Sequence, residues 1–193
     1  MHCFISGFAR SGTTALVKML NGHHDINIGI ERNRRLFSLY MEVAKYKDDV
    51  FEWLDPPVFE MASDAKVIGD KLPMLFRFYD DVQRSYPDAV WLITDRDIVS
   101  IANSWQARHD NPLDKTWVNG GYDAAIATIK KHFDIYNDMA RHDNVHFIPY
   151  ENINDRETIE GVLGLFDLQW DDGIEKQFAH STKTYEELLK GRQ

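Results

Sequence analysis

Hydrophobic residues along this chain fall into short continuous runs separated by longer amphipathic stretches. The runs are His2–Ser6 (HCFIS), Ile26–Ile30 (INIGI), Lys66–Gly69 (KVIG), Val90–Thr94 (VWLIT) and Val145–Pro149 (VHFIP), each short enough for a strand. VWLIT is nearly all apolar, as strands covered by helices on both faces are. Between the runs the spacing turns helical. Thr13–Asn21 sets Ala15, Leu16, Met19 and Leu20 on one side, and Arg34–Glu60 reads as helical until Pro56-Pro57 interrupts it. Pro73–Tyr86 reads as a helix opened by proline, with Leu75, Phe78, Tyr79 and Val82 at helical spacing. Ile98–Arg108, Tyr122–Arg141 and a short C-terminal tail complete the helices. Strand and helix in alternation predict an α/β fold: a central, mostly parallel sheet of about four to five strands flanked by helices in three layers. No repeat, low-complexity tract or linker divides the chain, so one domain over 1–193 is expected. His109–Gly121 is the longest irregular stretch, either a cover for an active site or a plain surface excursion.

Composition narrows the class. At 193 residues with 44% hydrophobic and 27% charged residues, the chain is ordinary globular material, able to bury a core. No apolar stretch approaches the roughly 18 residues of a membrane span, and no basic region followed by an apolar one opens the chain, so a cytoplasmic protein is expected. One cysteine, Cys3, excludes an internal disulfide framework and reads as a buried strand residue rather than a nucleophile. A formal net charge of −9 disfavours nucleic acid and other polyanions as partners. Any anionic ligand therefore requires a local basic pocket.

One such pocket is written into the first loop. In open parallel sheets ligands gather at the carboxyl ends of the strands, and the first strand is followed by GFARSGTTAL, a G-x-x-x-x-G-T-T loop leading into a helix. Gly7 and Gly12 permit the turn, backbone N–H groups at the helix start face an anion, and Thr13 and Thr14 add hydroxyls. The pattern departs from the ATP-binding G-x-x-x-x-G-K-[ST]: Thr13 stands where lysine belongs, and the cation, Arg10, lies inside the loop. Phosphate or sulfate binding without a kinase lysine is the expectation.

A second motif follows VWLIT: DRDIVSIANSW, with Arg96 and, eight residues on, Ser104. ISGFARSGTTAL resembles the 5′-phosphosulfate loop of sulfotransferases that use 3′-phosphoadenosine 5′-phosphosulfate (PAPS), whose loops read R-S-G-T-T or K-S-G-T-T. That family also carries an arginine at the end of a later strand and a serine eight residues beyond, both on the donor's 3′-phosphate. GDKLPMLFRFYDDVQRSYPDAVWLITDRD is similar to the family stretch from a lysine-proline turn to the arginine strand, and VHFIPYENI resembles its late strand ending in Y-E-D-L. The similarity runs from about Cys3 to Ile153, in the expected order.

The resemblance implies a P-loop-like fold, PAPS as donor, 3′-phosphoadenosine 5′-phosphate (PAP) as product, and a small-molecule or carbohydrate acceptor with a hydroxyl or amine. Donor contacts would come from Arg10, Ser11, Gly12, Thr13, Thr14, Arg96 and Ser104. An ATP loop uses lysine and Mg²⁺ on its phosphates, whereas one cation in the loop suffices for a phosphosulfate, so no metal is implied. Arginine suits the 3′-phosphate through its planar fork of donors. In-line transfer needs cations where charge grows and a base for the acceptor proton. Arg10 and Lys71 would be the cations. The animal cytosolic members' histidine near Lys71-Leu72-Pro73 is lacking, which places the chain nearer bacterial and carbohydrate-type members, whose glutamate beyond the second strand matches Glu31. Asp70 is the reserve base, or orients Lys71 or caps the next helix. Glu31 pairing with Arg32, Arg34 or Arg35, and Arg96 pairing with Asp95 or Asp97, are the plain structural alternatives.

His23 and His24, at the end of the first helix, read as partners of its C-terminal dipole, and no histidine spacing suggests a metal site. Tyr150 and Glu151 read as a structural junction. Many family members end in a basic R-K-G segment followed by G-D-W. Here LLKGRQ ends the sequence, so Lys190-Gly191-Arg192 would replace that segment only by folding back. Two other function classes stay open: an ATP- and Mg²⁺-dependent kinase, against which the absent loop lysine counts, and an inactive module binding a 3′-phosphorylated adenosine nucleotide. Neither the acceptor nor the oligomeric state is encoded legibly.

Overall fold

The computed structural model describes residues 1–33, 38, 64–115, 117 and 119–190, with the side chains of 182–190 outside that description. Apart from Ser38, the helix expected over Arg34–Glu60 lies outside the described residues. Five strands, β1 (His2–Ser6), β2 (Ile26–Ile30), β3 (Val67–Lys71), β4 (Val90–Asp95) and β5 (Val145–Pro149), form one sheet in the order β2-β3-β1-β4-β5. Every pairing is parallel. The helices are α1 (Thr13–Leu20), α2 (Tyr79–Ser85), α3 (Ile98–His109), α4 (Tyr122–Asp138), α5 (Arg156–Gly164) and α6 (Asp172–Lys190).

Alternation along the central strands explains the layers. Phe4, Trp91 and Ile93 pack with Ile101, Ala102 and Trp105 of α3 and with Ala125, Ile129 and Tyr136 of α4. On the other face Cys3, Ile5 and Leu92 pack with Leu16, Val17 and Leu20 of α1, with Ile159, Val162 and Leu163 of α5, and with Ile174 of α6. Both faces of β1 and β4 are therefore dry, as their continuous apolar sequence requires. Cys3 is fully buried, and burial pushes its thiol up, away from the nucleophilic thiolate.

The chain leaves β1 through α1 toward β2, and leaves β4 toward β5 on the opposite side. That divergence opens a crevice at the carboxyl ends of β1 and β4, the location at which parallel sheets bind ligands.

Three expectations need correcting. The third strand runs over Val67–Lys71 rather than Lys66–Gly69, because Asp70 and Lys71 still pair with Gly29 and Ile30 of β2 and with Phe4 and Ile5 of β1. No helix starts at Pro73. The Met74 N–H donates to the Gly7 carbonyl (2.8 Å) and the Phe76 N–H to Ser6 Oγ (3.1 Å), which draws the backbone to positive φ at Met74 and leaves a 3₁₀ turn, Leu75–Phe78, ahead of α2. The tail is not short: α5 and the 19-residue α6 are started by Asp155 and Asp171, whose carboxylates accept from the Thr158 and Ile174 N–H groups.

His23 and His24 find hydrogen-bond partners rather than resting on the dipole of α1. Buried His23 accepts the Asp25 N–H at Nδ1 (3.0 Å), so its Nε2 carries the proton that meets the Gln169 carbonyl (3.0 Å). His24 Nδ1 lies 2.6 Å from Asp171. The three side chains cluster, but with its Nδ1 accepting, His23 offers Nε2 as a donor, so the group is a hydrogen-bonded clasp between the α1–β2 turn and the start of α6. No helix among the described residues is long and apolar enough to cross a membrane.

Candidate active site

The loop after β1 is held in a conformation few residues adopt. Gly7 has φ +148 and Gly12 φ +104; a Cβ at Gly7 would lie 2.6 Å from the Ser11 and Thr94 hydroxyls, and one at Gly12 would lie 2.5 Å from the Tyr150 ring. Arg10 is left-handed without being glycine, at φ +76. Several contacts fix it there. Ser11 Oγ meets Thr94 Oγ1 at 2.5 Å, the Ser11 N–H donates to the Phe8 carbonyl, and the Trp105 indole N–H donates to the Ala9 carbonyl at 2.9 Å. The Ser11 N–H is thus engaged inside the loop and its hydroxyl on β4, so the residue braces the loop against the sheet. Thr13 is buried at the start of α1 and Thr14 is exposed beside it.

Arg96 leaves the end of β4 and donates from Nη1 to the Arg10 carbonyl (3.0 Å), while its guanidinium lies 4.0 Å over the Tyr150 ring. Its acidic neighbours are occupied elsewhere: Asp97 caps α3 through the Ser100 N–H (2.8 Å), and Asp95 accepts the Tyr136 hydroxyl (3.0 Å). The Arg10 Nε in turn donates to Ser104 Oγ on α3 (3.0 Å). Residues from two motifs 86 and 94 positions apart thus meet. Arg96 at the end of β4 and Ser104 on α3 share one neighbour, Arg10.

A third guanidinium, which the sequence reading did not single out, belongs to this group. Arg108 lies one turn beyond Ser104, at i+4 on the same face of α3. Burial, then repulsion from Arg108, then repulsion from Arg96 lower the Arg10 pKa below the ordinary arginine value, and Tyr150 and then the Asp114 carboxylate partly offset this. Three cations facing one carboxylate, in a chain of net charge −9, make an environment suited to an anion. Tyr150, expected as a structural junction, packs against both Gly12 and Arg96.

The second half of the site is formed by β2 and β3. Ile30 and Lys71 are register partners, and Ile5 of β1 lies opposite Lys71, so Glu31 and Lys71 emerge beside the loop. Lys71 Nζ contacts Glu31 Oε1 at 2.8 Å; the lysine side chain is 2% exposed and the glutamate 31%. Glu31 has positive φ (+57), and its N–H donates to the Lys71 carbonyl. Asp70 points elsewhere. Its carboxylate, fully buried, accepts the N–H groups of Arg32, Asn33 and Lys71 and the Asn33 side-chain amide. It organises the turn after β2. Arg32 reaches Asn27 (2.6 Å), while Arg34 and Arg35 lie outside the described residues.

No family model and no curated protein matches the chain. Solved structures do. A sulfotransferase of Mycobacterium tuberculosis H37Rv aligns with a TM-score of 0.58 at 15% identity, over 92% of this chain and 70% of the other. A mouse sulfotransferase complexed with PAP gives 0.56 at 14% identity, over 94% of this chain and 64% of the other. A sugar kinase from Janibacter sp. HTCC2649 gives 0.51 at 14% identity, over 86% and 94% respectively. The chain has the P-loop-like α/β fold that sulfotransferases share with such kinases.

Proposed function

We propose that this protein transfers a sulfuryl group from PAPS to a hydroxyl or amine of a small-molecule or carbohydrate acceptor. The observation that carries the reading is the junction of Arg10, Arg96 and Ser104, which unites the loop after β1 with the strand-end arginine and the serine eight residues beyond it. The fit to a 3′,5′-phosphorylated nucleotide rests on charge: three guanidiniums with one carboxylate near them favour a polyanion. The alignment with a mouse sulfotransferase complexed with PAP is consistent with this.

When bound, the donor supplies a sulfuryl group activated by its 5′-phosphate. Each residue then has a task. Arg10 and the N–H groups opening α1 neutralise the charge that accumulates on the 5′-phosphate as the bridging oxygen departs. Arg96, Ser104 and Arg108 hold the 3′-phosphate, and Tyr150 keeps Arg96 in place. Glu31 accepts the acceptor's proton at its carboxylate, one-third open to solvent. Lys71, nearly dry at 2% exposure, orients Glu31 and offers a positive charge to the transferring group.

The kinase reading draws on the sugar kinase alignment. Against it stands Thr13 in place of the lysine that bridges β- and γ-phosphates. The test is transfer of labelled sulfate from PAPS to a panel of hydroxyl and amine acceptors, with Glu31→Gln as control. Label in an acceptor, much reduced in E31Q at unchanged PAP affinity, is the expected result; Mg²⁺-dependent phosphorylation from ATP would overturn the reading.

A further inference from the structure

We infer that Asp114, on the loop between α3 and α4, is a positioning residue that holds Arg108 in the donor's anion site. This rests on the sulfotransferase reading above. It assigns a role to the 109–121 stretch that the sequence left between a cover and a plain excursion.

The geometry is that of a two-sided holder. Arg108 Nε forms an ion pair with the Asp114 carboxylate, and the same guanidinium lies 4.6 Å over the Trp117 ring. Trp117 stands edge-on to Trp105 (5.1 Å, 89°), whose N–H secures the Ala9 carbonyl in the phosphate loop. The holder is itself braced. The Asp114 N–H donates to the Asn111 carbonyl, the Trp117 N–H to the Asp114 carbonyl (3.2 Å), and the Trp117 indole to the Gly120 carbonyl (2.8 Å). Among the described residues the guanidinium has no hydrogen-bond partner beyond Asp114, and the pair engages Nε rather than the terminal amino groups. A carboxylate at one edge and an aromatic face beneath leave that fork for a ligand.

The need for a holder follows from charge. Arg108 and Arg10 repel, so an unrestrained Arg108 would swing toward solvent whenever the site holds no anion. Asp114 opposes that swing. Its own charge, however, repels a bound phosphate, so the two effects of Asp114 on donor affinity have opposite signs. By Coulomb's law alone, removing the carboxylate tightens an anion; if Asp114 positions Arg108, removing it weakens the anion.

The experiment is calorimetric titration of PAP into the wild-type chain, D114A, D114N, R108A and the double variant R108A/D114A, with thermal unfolding to verify folding. D114A is expected to weaken PAP by about tenfold, and D114N, which keeps an oxygen acceptor for Nε, by less. In the R108A background the D114A change should no longer weaken PAP, a reversal that a general loss of structure would not produce. PAP binding equal or tighter in D114A, or an equal weakening in both backgrounds, would overturn the inference while leaving the donor reading intact. Failure of the wild-type chain to bind PAP would overturn both. Should D114A not fold, D114N carries the same comparison.

Discussion

Replacing Lys71 with methionine should scarcely change stability, whereas replacing its partner should. At 2.8 Å the Lys71–Glu31 attraction is worth about 6 kcal/mol gross at an effective dielectric near 20. Against it stands the desolvation of an ammonium only 2% exposed, several kcal/mol in its own right. The two nearly cancel. Lys71→Met, of similar length and apolar, should therefore fall within about 1 kcal/mol of wild type. Glu31→Gln leaves the ammonium buried with an amide oxygen but no counter-charge, and should cost about 1–3 kcal/mol, the opening at Glu31 admitting water and limiting the loss. For a chain of this size each kcal/mol corresponds to about 2–4 °C in Tm. Urea and thermal unfolding of K71M, E31Q and the double variant read this asymmetry directly, with the double variant recovering most of what E31Q loses. A K71M loss as large as that of E31Q would refute the reasoning, because Lys71 would then be a net stabiliser rather than a cation kept dry for chemistry.

Other perturbations separate binding from folding. Arg96→Ala should weaken PAP by about 10- to 100-fold through loss of charge-assisted bonds, while the half-buried stacking on Tyr150 accounts for only about 1 kcal/mol of stability; calorimetry and melting curves distinguish the two. Gly12→Ala should destabilise by about 2–4 kcal/mol in urea unfolding, since φ +104 is strained for alanine and the new Cβ meets Tyr150 and Ile153. His132 is buried, and that burial, helped by Arg77 and Lys131, lowers its pKa from 6.5 to about 4. The unfolded chain then binds the extra proton between those values, so stability should fall as pH drops from about 6.5 to about 4. In His132→Phe that part of the slope should vanish from unfolding curves taken across the range.

The legible parts of this molecule were those encoded locally. The strand runs and the G-x-x-x-x-G-T-T loop are contiguous in sequence, and Arg96 and Ser104 are only eight residues apart at the junction of β4 with α3. What escaped depends on partners far along the chain. The false helix start at Pro73 arose because Gly7 and Ser6, more than 60 residues upstream, accept the Met74 and Phe76 N–H groups where Met74 stands at positive φ. The apolar run KVIG ends at Gly69, and only register with β1 and β2 carries the strand on through Asp70 and Lys71. Arg108 looked like an ordinary basic residue in a last helical turn, and nothing in its neighbours disclosed that Asp114 and Trp117 turn back onto it. The difference between the two carboxylates shows only in their hydrogen bonds: Glu31 faces Lys71 at the strand ends, and Asp70 is taken up by the turn.

The central claim is the identity of the donor, and it can be tested without knowing the acceptor. Calorimetric titration of the wild-type chain with PAP, set against ATP with Mg²⁺, compares a ligand whose 3′-phosphate the proposal assigns to Arg96 and Ser104 with a triphosphate that requires a loop lysine. If PAPS is the donor, PAP is preferred independently of Mg²⁺, and the preference is lost in Arg96→Ala. Preference for ATP with Mg²⁺ would contradict it and would assign Arg10 to the work of a kinase lysine.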